Sequence, residues 1–91
     1  MNAIPPEQSL IEYPCHFPIK VMGARVEGFT QAIVHVARQF DPDFDADTVE
    51  QRPSRAGNYL GLTLTVRVTS RDQLDELYRT LTTHPMVKFV L

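Results

Sequence analysis

The sequence predicts a two-layer α/β sandwich, a four-stranded antiparallel sheet with two helices on one face. Three observations predict it. Apolar residues alternate with others over Phe17–Gly23 and again over Tyr59–Val68, the period-two signature of strands buried on one side. Two further stretches, Phe29–Phe40 and Leu74–Leu81, space apolar residues as the stripe of an amphipathic helix. The 91 residues, 43% hydrophobic and 22% charged, are enough for one core and too few for two.

Residues 1–15 read as a loosely ordered lead-in, with one helical turn expected near Ser9–Tyr13, and residues 16–91 as the domain. The first strand turns Phe17, Ile19 and Val21 one way and Pro18, Lys20 and Met22 the other. Gly23 is expected to end it, since a residue without Cβ permits a sharp turn or a close backbone approach. The first helix carries Phe29, Ala32, Ile33, Val36, Ala37 and Phe40 on one stripe. It should stop at Phe40, because proline at 42 disfavours helical geometry at Asp41. An acidic loop, Asp41–Asp47, leads to a short second strand expected over Thr48–Arg52. Ser54–Asn58 supplies hairpin chemistry, with Gly57 and Asn58 both tolerant of positive φ.

The third strand has the clearest pattern. Leu60, Leu62, Leu64, Val66 and Val68 share one face, and Tyr59, Gly61, Thr63, Thr65 and Arg67 the other, as expected of a central strand. Ser70-Arg71-Asp72-Gln73 is a capping box, opening a helix whose Leu74, Leu77, Tyr78 and Leu81 form its stripe. The helix should end at His84-Pro85. A last strand over Met86–Leu91 is expected to point Val87, Phe89 and Leu91 inward. The order strand, helix, strand, strand, helix, strand, joined by right-handed crossovers, is the ferredoxin-like βαββαβ sandwich with its first and third strands central.

Composition excludes several classes. A formal charge of −2 advertises no global basic field for nucleic acid or an anionic membrane. No apolar run approaches the roughly 20 residues of a transmembrane helix, so no membrane partner is expected. One cysteine, Cys15, cannot form a disulfide within the chain, and no signal sequence is visible, so a cytoplasmic location is expected. Asp41-x-Asp43-x-Asp45-x-Asp47 fails as a calcium loop, because Ala46 stands where glycine is needed and Arg52 where glutamate is. His16, His35 and His84 are dispersed, and Cys15 as a nucleophile would need a base from elsewhere. With no phosphate loop, nucleophile elbow or paired carboxylates, neither a catalytic residue, a metal site nor a cofactor is assigned, and a non-enzymatic protein is expected.

Three stretches carry a family likeness. The first strand Phe17-Pro18-Ile19-Lys20-Val21-Met22-Gly23, the segment Pro53-Ser54-Arg55-Ala56-Gly57-Asn58-Tyr59 and the closing Val87-Lys88-Phe89-Val90-Leu91 together resemble the YbeD-like family of small bacterial proteins of uncharacterised function. The resemblance spans Tyr13 to Leu91. It implies a ferredoxin-like fold similar to the ACT domains that bind amino acids and regulate metabolic enzymes. It also implies a context near lipoate-attachment enzymes, and it transfers no catalytic residue.

Three surfaces are candidates for binding. The open sheet face should display Lys20, Met22, Thr63, Thr65, Arg67 and Lys88, a set able to receive a phosphate, a carboxylate or a nucleic-acid backbone, or simply to be solvated. The hairpin offers Arg52, Ser54, Arg55, Gly57 and Asn58 to an anion, although a turn needs Gly57 and Asn58 for geometry alone. The turn after the first strand, with Gly23, corresponds to the effector-binding turn that ACT likeness implies, and a strand-to-helix turn needs a glycine anyway. The leading expectation is a regulatory or adaptor module, paired as a homodimer, binding a protein partner or a small anionic metabolite through Lys20, Gly23, Arg55 and Asn58. Single-stranded RNA on the open face is the alternative, disfavoured because Gly61, Thr63 and Thr65 stand where RNA-recognition domains stack bases on aromatics.

Overall fold

The alternation that marks the first strand extends beyond both of its expected ends. In the computed structural model, which describes residues 11–91, β1 runs from Cys15 to Ala24. It is followed by α1 (Phe29–Phe40), a short 3-10 turn (Ala46–Thr48), β2 (Glu50–Pro53), β3 (Tyr59–Val68), α2 (Arg71–Thr82) and β4 (Val87–Val90). The expected turn of helix near Ser9–Tyr13 falls partly outside the described residues, and Ile11–Tyr13 is not helical.

The strands lie in the order β2-β3-β1-β4, all neighbours antiparallel. β1 and β3 are central, as their long alternations predict. They pair without interruption from Cys15 opposite Val68 to Ala24 opposite Tyr59. This register stacks Ile19 and Val21 beside Leu62 and Leu64, all essentially inaccessible to solvent. From above, α1 contributes Phe29, Ile33, Val36 and Ala37, and α2 contributes Leu74, Leu77 and Leu81. Both helices cover the same face, so the other is left bare.

Local chemistry sets the helix ends. α1 begins after Gly28, whose φ of 86° lies in the left-handed region, and it has no side-chain cap. At its other end the Asp41 amide donates to the Ala37 carbonyl at 2.8 Å before Pro42 ends the helix. At α2 the Ser70 hydroxyl accepts the Gln73 amide at 3.1 Å, as the capping box predicts. Its reciprocal half is displaced by one residue. Gln73 Oε1 accepts the Thr69 amide at 2.6 Å, not that of Ser70, while Gln73 Nε2 donates to the Phe40 carbonyl at 3.1 Å. The same side chain therefore caps α2 and ties it to α1. Ser70→Ala is expected to lower stability by ~1 kcal/mol, read as a shift in the urea midpoint.

Three expectations need correction. β2 starts at Glu50, because Thr48 is drawn into the 3-10 turn, where its hydroxyl donates to the Asp45 carbonyl at 2.6 Å. Pro53 is tolerated at the strand's other end because β2 is an edge strand. Gly23 does not end β1. It lies within the strand, and of the hairpin pair only Gly57 takes positive φ, at 78°. The largest correction concerns β4. Val21 pairs with Val90 and Met22 with Phe89, but Gly23 pairs with Val87, so Lys88 is the extra residue of a β-bulge. The bulge breaks the period of two. Val87 and Val90 pack against the core, whereas Phe89 and Leu91, expected inward, are 49% and 70% exposed.

Beneath the helices the Phe17 and Tyr78 rings meet edge to face, centroids 6.4 Å apart. Burial raises the Tyr78 hydroxyl above the usual tyrosine value. The folded chain thus holds this proton to higher pH than the unfolded chain does. The associated stability is present below about pH 10 and is lost as pH rises through the raised value. Tyr78→Phe should lose less stability than the parent between about pH 9 and 11, measured as urea midpoints.

Candidate functional site

The bare sheet face is not flat. β3 places Gly61 beside Met22 of β1, whose thioether end lies next to the glycine. Residues of β2 and the hairpin and of the end of β4 join those of β1 and β3 in lining an open trough of about 760 Å³. Lys20, Arg52 and Arg55 line it as cations, Met22, Phe89 and Leu91 as apolar groups. Among the described residues Glu50 is the only acid in its lining. A second hollow of about 340 Å³ adjoins it, where Lys88 meets Met22, Ser54, Tyr59 and Phe89.

The hairpin wall is held by its own hydrogen bonds. The Ser54 amide donates to the Tyr59 carbonyl and the Gly57 amide to the Ser54 carbonyl, both at 2.9 Å, and the Tyr59 amide reaches the Ser54 hydroxyl at 3.1 Å. The Arg25 amide, just after β1, donates to the Asn58 carbonyl at 3.0 Å. Its guanidinium lies against Gly57, so close that a Cβ there would sit 3.5 Å from Nη1. Two turns that the sequence offers as separate candidates are thus one structural unit.

The six residues singled out from sequence do not converge. Lys20 and Arg55 share the trough and Lys88 borders the adjoining hollow. Arg67 is exposed on the same face but farther along β3, opposite His16. Asn58 is exposed at the hairpin and meets Arg25 through its backbone. Gly23 faces the helices. A Cβ on it would lie 2.5 Å from both the Met86 carbonyl oxygen and the Phe29 ring. Packing alone accounts for glycine at this position.

Phe89 and Leu91 are the trough residues that alternation misassigns. The spacing of Val87 and Val90, three apart around a lysine, is the one trace of the bulge in the sequence. On the opposite face Cys15 is a free, half-buried thiol against the core. Among the described residues no group of three His, Cys, Asp or Glu side chains is placed to hold a metal ion. No helix among them is long and apolar enough to cross a membrane.

A βαββαβ sandwich with both helices on one face of a four-stranded antiparallel sheet has the ferredoxin-like fold. The fold is similar to that of the protein HP0495 from H. pylori, with a TM-score of 0.73 at 16% identity over 100% of this chain and 98% of that one. It is also similar to the ACT domain from GTP pyrophosphokinase of Chlorobium tepidum, with a TM-score of 0.63 at 23% identity, covering 81% and 91%. At these identities the likeness is one of fold.

The chain belongs to the family described as "Protein of unknown function (DUF493)", whose model matches residues 8–91. Its relatives include the UPF0250 proteins of Leptothrix cholodnii, 71% identical, and Bordetella pertussis, 64% identical, each over 91 residues and the whole of both chains. These are the YbeD-like proteins that its sequence resembles.

Proposed function

We propose that this protein is a regulatory or adaptor module that acts by binding, without catalysis, and receives an anionic group on its open sheet face. The observation that carries this reading is the trough itself. Lys20, Arg52 and Arg55 come from three different segments and line one concavity in which Glu50 is the single acidic side chain. Guanidinium and ammonium donors in that arrangement suit carboxylate or phosphate. A cytoplasmic setting and a homodimeric state belong to the same proposal, as in ACT-like modules. A carboxylate bearing an apolar chain, the kind of ligand a lipoate context implies, would place its head among the cations and its chain over Met22 and Phe89. Arg55 and Lys20 are the principal contacts, and Gly23 and Asn58 lie outside the trough.

Thermal denaturation with carboxylates and phosphates tests this reading. A ligand at a hundred times its Kd should stabilise the fold by about 2.7 kcal/mol. For a domain of this size that raises Tm by roughly 10 °C or more. Lys20→Ala/Arg55→Ala should abolish the shift. No stabilisation by any anion, and none of the open-face amide signals moving, would overturn the proposal. A strictly monomeric mass at high concentration would overturn its dimeric part.

Phe89 and Tyr59 favour one second reading, single-stranded RNA. Both rings are about half exposed on this face and could stack bases. Affinity for an oligouridine that falls with salt, and that is lost in Lys20→Ala/Arg67→Ala/Lys88→Ala, would support it. A flat titration at low salt would end it.

A further inference from the structure

We infer that the natural occupant of the trough is an acidic amphipathic segment of another protein, laid across the open sheet face with its apolar side on Met22 and Phe89. The inference rests on the proposed binding role of this face and adds the chemistry of the partner.

The apolar surface is the first reason. Tyr59, Phe89 and Leu91 are 45%, 49% and 70% exposed, three of only five large apolar side chains among the described residues with this much exposure. With Met22 they lie on one side of the sheet. Exposed aromatic and aliphatic groups gathered on one face and rimmed by charge mark interaction surfaces, whereas scattered ones do not.

The cations are the second reason. Lys20 stands on β1, Arg52 on β2, Arg55 in the hairpin and Lys88 on β4. Three of them line the trough and Lys88 lines the adjoining hollow, so the four charges are spread over two concavities rather than gathered in one pocket for a single small anion. A row of carboxylates flanking an apolar stripe matches them. The trough is also open to solvent, whereas small-molecule sites enclose most of their ligand's surface. An amphipathic helix on the bare face would complete a third layer, just as α1 and α2 cover the opposite side. Like charge argues against a second copy, because two such faces brought together would oppose Lys20, Arg52, Arg55 and Lys88 to the same cations.

The test uses the full-length protein and a fluorescently labelled helical peptide of roughly 18 residues, with leucine on one stripe and glutamate elsewhere. Four control probes accompany it: polyglutamate, the same peptide with lysine for glutamate, octanoate and an oligouridine. The glutamate–leucine peptide should bind and move the amide signals of Lys20, Met22, Gly61 and Phe89, and the lysine version should not bind. Phe89→Ala, at a half-exposed position that leaves the core intact, should weaken binding about 30-fold, the effect of a central interface anchor. Arg52→Glu/Arg55→Glu should weaken it at least as much, and polyglutamate should bind far more weakly than the amphipathic peptide.

Equal binding of polyglutamate, or peptide binding indifferent to Phe89→Ala, would overturn the inference. Octanoate or oligouridine moving the trough signals while the peptide does not would overturn it and leave the anion-binding role standing. Dimerisation through this face, abolished by Phe89→Ala, would overturn it in favour of a second copy. Silence from every probe would remove the binding role of the face as well.

Discussion

Phe44→Ala is expected to destabilise the fold by about 3–5 kcal/mol, the cost of emptying a buried phenylalanine site. Phe44 sits in the middle of the acidic run Asp41–Asp47, yet only 4% of it is exposed, and it belongs to the same apolar cluster as the sheet and helices. Backbone and side-chain bonds hold it there. Its amide donates to the Asp41 carbonyl at 2.9 Å, and its carbonyl accepts from Arg38 Nε at 3.3 Å. Asp41 in turn accepts the Asp43 amide through Oδ1 at 3.2 Å and the Arg67 amide through Oδ2 at 3.1 Å, which ties the loop to the end of β3. The loop is therefore a lid on the core whose outward carboxylates are solvated. Asp43→Ala, at an exposed position, should change stability by no more than about 0.5 kcal/mol. Urea denaturation of both variants checks the contrast. A small effect at Phe44 would mean that the loop does not seal the core.

Gly23→Ala is the second large effect, expected to cost about 3 kcal/mol through a single methyl group. The new Cβ would lie 2.5 Å from the Met86 carbonyl oxygen and 2.5–2.6 Å from two atoms of the Phe29 ring. Neither neighbour yields readily. The carbonyl belongs to the backbone entering β4, and the ring is fully buried at the start of α1. Relief would require β4 and α1 to move apart. Gly61→Ala is the informative contrast on the other face. There the nearest atom is the Met22 methyl at 3.4 Å, the far end of a flexible side chain, so stability should stay within about 0.5 kcal/mol of the parent. Gly61→Ala would instead make the trough shallower. Measured together, the two substitutions separate a glycine required by packing from one that shapes a surface.

Much of the fold is legible in the sequence because its signals are local. The Leu60–Val68 alternation, the stripe from Phe29 to Phe40 and the Ser70 cap each report a periodicity or a hydrogen bond satisfied within a few residues. The candidate site was legible in part. Lys20 and Arg55 could be nominated as cations on an exposed strand and a turn, and the structure seats both in one trough. Their neighbours Phe89 and Leu91 could not, because a period of two assigns them to the core.

What the sequence determined by itself is therefore the set of elements, their order and the faces of the two central strands, which follow from propensity, capping and period. Tertiary structure alone decided the rest. Lys88 becomes the extra residue where β4 pairs with β1, and that one residue turns Phe89 and Leu91 to the outside. Phe44 joins the core in a loop that Asp41 ties to the amide of Arg67, 26 residues away. In both cases the deciding contact joins segments far apart in the chain, and no local pattern encodes such a contact.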